Sequence, residues 1–290
     1  MTKAEPFIRS MRPNSHVSNV IITIDFAVDD ALKKKYEHVR FVEYDSNRVR
    51  APNANSCLQH GGFLDALDWV GDEDVIIFTD ADIDIQREMS PDEILFFSEL
   101  ADSEIAAGHN ASPSQTLMDE AANLQVLTKH ETIEASFPGY AALQVYNTGV
   151  LAAKKKVYRA LYEQYVRDWE KADSLFAHYA KQQWLISYLI QMNFRVKLIP
   201  NIIHTHAHYP ITLRIAEPCG FKFCIHNQPV LFAHALYHSL YDGSSTPQAI
   251  EKTIEFRRLA RACRRWKRAA IFLSITLIML CGLYLVFLLR

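Results

Sequence analysis

The stretch Val75–Ile85, which reads VIIFTDADIDI, decides the fold and the chemistry of this chain. Its first five residues are apolar or β-branched and lie between charged segments, which is typical of a central strand of a parallel sheet. Three aspartates follow, at Asp80, Asp82 and Asp84. Ligands of open α/β sheets bind at the carboxyl ends of the strands. The stretch therefore predicts an α/β domain with a ligand site at Asp80 and Asp82.

The three acids repel one another unless a cation or hydrogen-bond donors neutralise them. Hard carboxylate oxygens suit Mg²⁺ or Mn²⁺, and these ions also bridge to substrate phosphates. An Asp-x-Asp pair is common by chance in a chain with 33 acidic residues, so a solvated acidic turn is the alternative interpretation. The apolar strand before the pair favours a metal site.

Outward from this stretch, short apolar runs alternate with helical patterns. Strands are predicted at Ser18–Asp25, Val39–Tyr44, Glu104–Gly108, Leu143–Tyr146 leading into Val150–Ala152, and Arg195–Ile199. Helices are predicted at Pro91–Ala101 (after the capping box Ser90–Glu93), Lys154–Lys171 and Lys181–Asn193. In the last helix, a one-sided stripe from Trp184 to Met192 indicates core packing. The alternation predicts an α/β domain with a mainly parallel sheet flanked by helices.

The end of the chain is basic and then apolar. Seven basic residues lie between Arg257 and Arg268, whereas residues 1–256 carry 33 acidic and 23 basic residues. The net negative charge of residues 1–256 repels phosphates, so we expect no nucleic-acid binding. Residues 269–289 are 21 uncharged, mostly apolar residues, which at about 1.5 Å per residue span a bilayer. We expect a C-terminal transmembrane helix there.

The flanks of this span predict its orientation. Basic residues precede it and only Arg290 follows, so the positive-inside bias places residues 1–268 in the cytosol. Anionic lipid headgroups are the expected partners of Arg257–Arg268. The start of the chain has no apolar secretory core, which agrees with a reducing compartment for its five cysteines. We expect three parts: a catalytic domain (1–243), a basic juxtamembrane stem (244–268) and the membrane span (269–289).

Two later segments add candidate site residues. Tyr146–Val150 (YNTGV) places an amide, a hydroxyl and a glycine inside an apolar stretch, and Gly149 permits close backbone approach or positive φ. A simple bulge is the alternative there. His234 lies in the apolar run Pro229–Leu236. A single histidine in such a run is commonly a core residue, but an acidic pair elsewhere makes it a candidate metal ligand.

In this order, the motifs resemble the GT-A nucleotide-sugar glycosyltransferases, most closely the retaining group that includes glycogenin and bacterial lipopolysaccharide glucosyl- and galactosyltransferases. The matching segments are Phe78–Asp82, Tyr146–Leu151, Gln182–Pro200 and Leu231–Leu236. The resemblance implies a GT-A, Rossmann-like fold, with a mixed, mainly parallel sheet flanked by helices. It also implies a hexosyltransferase activity that uses a nucleotide-sugar donor.

The resemblance also implies roles for individual residues. Asp80, Asp82 and His234 would hold Mn²⁺ or Mg²⁺ on the donor diphosphate, with His206 as the alternative histidine. Substrate contacts are implied for a second set of residues, which comprises Thr23, Asp25, Thr79, Asp80, Asn147, Thr148, Gly149 and Gln183. Gln182 and Asn147 take the catalytic positions. The family usually has Asp-Gln where this chain has Gln182-Gln183, and it has a late Gly-x-Lys that is not evident here.

The substrates follow from the same resemblance and from the anchor. A cation would stabilise the charge that develops on the leaving nucleoside diphosphate, and UDP-sugars are the favoured donors. A tethered enzyme meets its acceptor in two dimensions, so we expect a glycolipid, a lipid-linked saccharide or a polysaccharide precursor. A protein acceptor stays open.

Three other interpretations stay open. A haloacid-dehalogenase-like phosphatase also places Asp-x-Asp after a buried strand, although in that family the motif lies in the first strand. A zinc site is conceivable from His204, His206 and His208 with Cys219, Cys224 and His226. A non-catalytic, membrane-tethered scaffold fits the missing Asp-Gln carboxylate. Additional phosphate contacts are conceivable from Arg48, Arg50 or Lys154.

Overall fold

The computed structural model describes residues 20–24, 30–43, 63–80, 83–110, 114–124, 126–177, 181–206, 213–217 and 220–234. The chain divides into two compact units. The first comprises Met1–Ile215 and Lys222–Tyr241 and contains most of the described residues. The second comprises Ala216–Phe221 and Asp242–Arg290, of which only residues 216, 217, 220 and 221 are described.

Strands and helices are interspersed up to residue 193, and in the described part of the chain six strands then follow one another. The strands are β1 (Val20–Ile24), β2 (Val39–Glu43), β3 (Val75–Thr79), β4 (Ile83–Ile85), β5 (Glu104–His109), β6 (Tyr146–Lys154), β7 (Arg195–Ile199), β8 (His204–His206), β9 (Leu213–Glu217), β10 (Gly220–Ile225), β11 (Gln228–Pro229) and β12 (Phe232–His234). The helices are α1 (Asp30–Lys35), α2 (Phe63–Leu67), α3 (Pro91–Ser98), α4 (Leu117–Asn123), α5 (His130–Ser136), α6 (Lys155–Leu175) and α7 (Lys181–Asn193), with a 3₁₀ turn at Tyr140–Ala142.

The central sheet has four strands in the order β3-β6-β5-β7. Strand β6 runs antiparallel to both of its neighbours, and only β5 and β7 are parallel. The prediction of a mixed sheet is confirmed, but this sheet is not mainly parallel, and β3 lies at one end of its described order rather than at its centre. The reason is that β6 enters between β3 and β5 from the opposite end. A continuous apolar run indicates that a strand is buried on both faces, and an antiparallel strand inside a covered sheet shares this property with a parallel one.

A second, smaller sheet has the order β4-β12-β8. Strand β12 runs antiparallel to β4 and parallel to β8, and the register aligns His234 with Ile83 on one side and with His206 on the other. Elsewhere, β1 and β2 pair in parallel, and β10 and β11 form an antiparallel hairpin. The small sheet thus collects the late histidines beside the strand that follows the acidic motif.

The two faces of the central sheet have different cores. Alternate residues of β5 and β6, such as Ile105 and Leu151, pack against helices α6 and α7. Their neighbours, Ala106 and Val150, pack instead with Ile83 and other residues of the small sheet. The small alanines on this second face let the small sheet approach closely, and that contact positions the candidate site.

The helices follow their local sequence signals closely. Helix α3 begins with the predicted capping box, in which Ser90 and Glu93 bond to each other's backbone, and it ends at Ser98 rather than at Ala101. Helix α6 starts one residue later than predicted and runs four residues further. Helix α7 has the predicted bounds but is buried on nearly every side, except that Met192 is exposed.

None of the helices in the described part of the chain is long and apolar enough to cross a membrane. The predicted span at 269–289 and the basic stem lie outside the described residues.

Candidate active site

The small sheet meets the central sheet at two glycines. A Cβ atom at Gly149 would lie 2.6 Å from Nδ1 and from Cε1 of His234, and a Cβ at Gly108 would overlap the ring of His204. Gly108 lies in β5 and pairs with Asn147 of the neighbouring β6. The two glycines therefore form a cradle that holds two imidazole rings against the face of the central sheet, and no other residue type leaves that space.

Inside this cradle, Asn147 fixes the orientation of His234. The backbone N–H of Gly149 donates to Oδ1 of Asn147 at 2.9 Å, which identifies that atom as the amide oxygen. The same Oδ1 lies 3.0 Å from Nδ1 of His234. Because an amide oxygen only accepts hydrogen bonds, Nδ1 must carry the proton and donate it. In the neutral ring, the lone pair then lies on Nε2, and this is the arrangement of a metal-binding histidine.

Asp80 reaches the same place from strand β3. Its backbone N–H donates to the carbonyl of Gly149 at 2.8 Å, and its carbonyl accepts from Ile83 at 3.2 Å, where β4 begins. Thr79, one residue earlier, pairs with Val150 of β6, and both Thr79 and Asp80 are half-buried. The structure thus brings Asp80, Asn147, Gly149 and His234 together from three segments of the chain.

His204 is the second ring in the cradle. It is 2% exposed, and its ring lies 6.2 Å from that of His234 between centroids, at an interplanar angle of 25°. Burial, and to a smaller extent the neighbouring His234, lowers the pKa of His204 to about 3, so the ring is neutral at neutral pH. Among the described residues, neither ring nitrogen of His204 has a hydrogen-bond partner.

Asp80 and His234 carry the kinds of donor atom that a divalent cation binds. The described part of the chain, however, holds no cluster of three histidine, cysteine, aspartate or glutamate side chains close enough to bind one. Asp82 and the side chain of His206 lie outside the described residues, and so does Cys219 of the conceivable zinc site. The oriented Nε2 of His234 and the carboxylate of Asp80 are an imidazole and an oxygen donor, which Mn²⁺ accepts.

The remaining predicted site residues are more scattered. Gln182 and Gln183 are half-buried in the first turn of α7, whose Ser187 hydroxyl accepts from the backbone N–H of Tyr146 at 3.0 Å. Helix α7, which carries the two glutamines in its first turn, thus packs on strand β6, which carries Asn147. Thr148 is buried in the same strand, next to Asn147.

Lys154 does not contribute a phosphate contact at this site, contrary to one sequence interpretation. It lies seven residues beyond Asn147 in β6, which is about 23 Å along a strand. Its ammonium pairs at 2.8 Å with Glu73 and at 2.8 Å with Asp102, and these hydrogen bonds raise its pKa. Arg48, Arg50 and Asp25 lie outside the described residues, and Thr23 is described only as a backbone position in β1.

Two residues of the cradle have no role in the sequence analysis as site residues. Gly108 ends the predicted strand Glu104–Gly108 without any polar neighbour that suggests chemistry, and His204 appears only in the zinc alternative. The alternating histidines at residues 204–208 were the sequence pattern that could have pointed to His204 as a site residue. Their relation to Gly108 and Gly149 depends on sheet packing, which sequence spacing does not encode.

Comparison with solved structures agrees with this architecture. The galactosyltransferase LgtC, solved in complex with donor and acceptor sugar analogs, matches with a TM-score of 0.51 at 13% identity, over 81% of this chain and 84% of that chain. The bifunctional glycosyltransferase WbbM in its apo form matches with a TM-score of 0.51 at 11% identity, over 86% of this chain and 49% of that chain. No protein-family model and no curated protein sequence matches. At these identities the matches establish the architecture alone: the chain has the GT-A fold.

Proposed function

We propose that this chain is a metal-dependent glycosyltransferase that moves a sugar from a nucleotide-diphosphate donor to an acceptor. The observation that carries the proposal is that the backbone of Asp80 bonds to Gly149, two residues from the Asn147 side chain that contacts His234. A carboxylate after a sheet strand and an imidazole with a fixed tautomer are the groups that a cation bound to a diphosphate requires.

The proposed cation ligands are Asp80, Asp82 and His234, and their mixed oxygen and nitrogen donors suit Mn²⁺ better than Mg²⁺. When bound, the ion would supply Lewis-acid stabilisation of the negative charge on the leaving nucleoside diphosphate. Asn147 keeps the proton of His234 on Nδ1, so the lone pair of the neutral ring lies on Nε2. Burial of this pair at the junction of two sheets keeps water from competing for it.

Gln182 and Asn147 are the proposed catalytic residues, and both carry neutral amides. An amide neither accepts a proton nor attacks a sugar at neutral pH, so their contribution is to orient the donor sugar and the acceptor hydroxyl. Gln183, Thr79, Thr148 and Gly149 are the proposed substrate contacts, together with Thr23 and Asp25. UDP-sugars are the favoured donors.

The proposed acceptor is attached to a membrane, and it is a glycolipid, a lipid-linked saccharide or a polysaccharide precursor. Support comes from the uncharged run at 269–289 and from the seven basic residues before it, which would hold the catalytic domain at the cytosolic face beside anionic headgroups. Extraction of membranes from expressing cells with alkaline carbonate tests this part. We expect the chain to stay in the pellet, and its release into the supernatant would contradict an integral anchor.

The activity itself is tested with the full-length chain in detergent, incubated with a panel of UDP-, GDP- and CDP-sugars and with Mn²⁺, Mg²⁺ or EDTA. We expect one donor to release its nucleoside diphosphate with Mn²⁺ and not with EDTA. Asp80→Asn should abolish release, whereas Asp102→Asn, an exposed carboxylate in the Lys154 ion pairs, should not. Hydrolysis of an aryl phosphate without any donor turnover would favour the phosphatase, and no turnover of either substrate would favour the scaffold.

A further inference from the structure

Helix α7 begins with a buried cation. Lys181, its first residue, is 7% exposed, and the next residue is Gln182, one of the two proposed catalytic amides. The ammonium of Lys181 forms an ion pair with Asp173 of α6 and donates to the carbonyl of Phe176 at 3.1 Å. It also lies 5.7 Å from the centre of the fully buried Trp169 ring. The ammonium therefore holds the start of α7 against the C-terminal end of α6.

Stability alone does not account for this ion pair. Taking a lysine ammonium out of water is costly, and apolar side chains of similar volume in place of a buried ion pair often give a protein that is equally or more stable. The surroundings are already apolar, because Trp184, one turn further along α7, packs against the ring of Phe176. The chain instead has a charged group there, whose directional contacts favour one arrangement of the two helices.

The later turns of α7 are fixed to the strand that carries Asn147. The hydroxyl of Ser187 is fully buried, accepts from the backbone N–H of Tyr146 at 3.0 Å and donates to the carbonyl of the same residue at 3.3 Å. One turn further, the side-chain amide of Gln191 accepts from the backbone N–H of Gln144 at 3.0 Å and donates to its carbonyl at 2.8 Å. Helix α7 thus bonds to alternate residues of the segment that leads into Asn147.

We propose that Lys181 is a positioning residue, which fixes the first turn of α7 and with it the distance between the amides of Gln182 and Asn147. This inference rests on the proposed function, in which these two amides orient the donor sugar and the acceptor hydroxyl. A helix that is attached at both ends is a rigid spacer, so the amide at its start keeps one location relative to the strand. An error of about 1 Å in such a distance costs about 100-fold in rate.

The test removes both charges of the pair and compares the result with a matched change on the same helix. The full-length chain in detergent carries Lys181→Met together with Asp173→Asn. The control carries Lys171→Met together with Asp168→Asn, which removes a more exposed ion pair of α6. We expect the kcat of donor turnover to fall about tenfold or more in the first variant, with a donor KM within about twofold of the wild type, because orientation acts in the transition state. The control should match the wild type in both constants.

Hydrogen exchange gives a readout that does not depend on turnover. In an α-helix, the amides of Leu185 and Ile186 bond to the carbonyls of Lys181 and Gln182, so their exchange reports on the first turn of α7. We expect their exchange to become about tenfold faster or more in the first variant, and to stay as in the wild type in the control. Circular dichroism and thermal unfolding confirm folding. Lys181→Gln, which keeps a donor for the Phe176 carbonyl without the charge, replaces the double variant if that one does not fold.

The outcomes separate this inference from the proposed function. A wild type that turns over a donor, with an equal kcat in the Lys181 variant, would overturn the inference and leave the proposed function intact. Absence of donor turnover in the wild type would overturn the proposed function, and hydrogen exchange would then decide the inference. Faster exchange of the first turn of α7 in the variant would sustain the role of Lys181 in fixing that turn, whereas equal exchange in all the proteins would overturn it.

Discussion

Oδ1 of Asn147 lies 3.0 Å from Nδ1 of His234, although the two residues are 87 positions apart in the chain. The same oxygen accepts the backbone N–H of Gly149 at 2.9 Å. One side-chain atom therefore joins strand β6 to strand β12 and sets which nitrogen of the histidine carries the proton. This contact links the central sheet to the small sheet.

Asn147→Ala should weaken metal binding without removing a ligand. Loss of the orienting oxygen lets the His234 ring change its tautomer and rotate, and changes of this kind cost about 10–100-fold in metal affinity. The buried Nδ1–H also loses its partner, which should lower the free energy of unfolding by about 1–3 kcal/mol. Titration of Mn²⁺ followed by electron paramagnetic resonance, together with urea unfolding, measures both effects.

Asn123→Ala is the matched control for this substitution. Asn123 is exposed, and its side-chain amide donates to the carbonyl of Asp119 and to the carboxylate of Glu120, both in its own helix α4. Its Mn²⁺ affinity should equal that of the wild type. Equal affinities for Asn147→Ala and the wild type would show that Asn147 does not orient a metal ligand.

Gly108→Ala should destabilise the protein by separating the two sheets. The added Cβ would overlap the buried ring of His204, which has no room to retreat, and overpacking of this kind costs about 1–3 kcal/mol. The double variant Gly108→Ala, His204→Ala removes the overlapping ring, so its loss should be smaller than the sum of the two single losses. Urea unfolding of the four proteins in a double-mutant cycle measures this coupling.

Gly71→Ala provides the comparison for that cycle. Its added Cβ would meet only the end of the Asp74 side chain, at 2.9 Å, on an exposed loop. That carboxylate can move, so the free energy of unfolding should change by less than about 0.5 kcal/mol. Additive effects of Gly108→Ala and His204→Ala would contradict the contact between them.

Glu104 should make stability depend on pH in the acid range. The backbone N–H of Ala101 donates to Oε2 at 2.8 Å, Arg195 donates to Oε1 at 2.6 Å, and these contacts lower the pKa of Glu104 below its usual value of 4.5. The unfolded chain therefore binds a proton at a higher pH than the folded chain does. The stabilising contribution is complete above pH 4.5 and is lost as the pH falls through that value toward the folded pKa.

Urea unfolding at a series of pH values from 7 to 3 measures this dependence. Glu104→Gln cannot titrate and should flatten the acid part of the curve, while the exposed Glu99→Gln should leave it as in the wild type. Curves of equal slope for Glu104→Gln and the wild type would rule out this source of acid sensitivity.

Trp184→Ala should be among the most destabilising single substitutions. The indole is fully buried, stacks on Tyr188 and meets Phe137 and Phe176, and its Nε1–H donates to the carbonyl of Leu117 at 2.9 Å. Removing a buried tryptophan costs about 3–5 kcal/mol. Thermal unfolding measures the effect, and Met192→Ala, an exposed position of the same helix, should change stability by less than about 0.5 kcal/mol. Similar losses for both variants would contradict the packing of α7.

Local patterns predicted three of the seven described helices, α3, α6 and α7, because the causes of those helices are local. The capping box at Ser90 and Glu93 involves residues three positions apart, and it begins α3 where expected. The stripe on α7 was predicted to be one-sided, yet Ser187 and most of its neighbours are buried on the other sides as well. That helix packs on the central sheet on one side, and its Trp184 contacts Phe137 and Phe176 on another. How many sides of a helix are buried depends on the fold around it rather than on the period of its own apolar residues.

The sequence by itself determined that strands alternate with helices, that carboxylates follow strand β3, and that an uncharged run follows a basic one. These properties depend on residues a few positions apart, so their physics acts within one segment. Only the tertiary structure decided that β6 runs antiparallel between β3 and β5, and that Gly108 and Gly149 open a cradle for His204 and His234. Strand direction and sheet-to-sheet contact arise from close packing between segments distant in the chain, which no short-range pattern records.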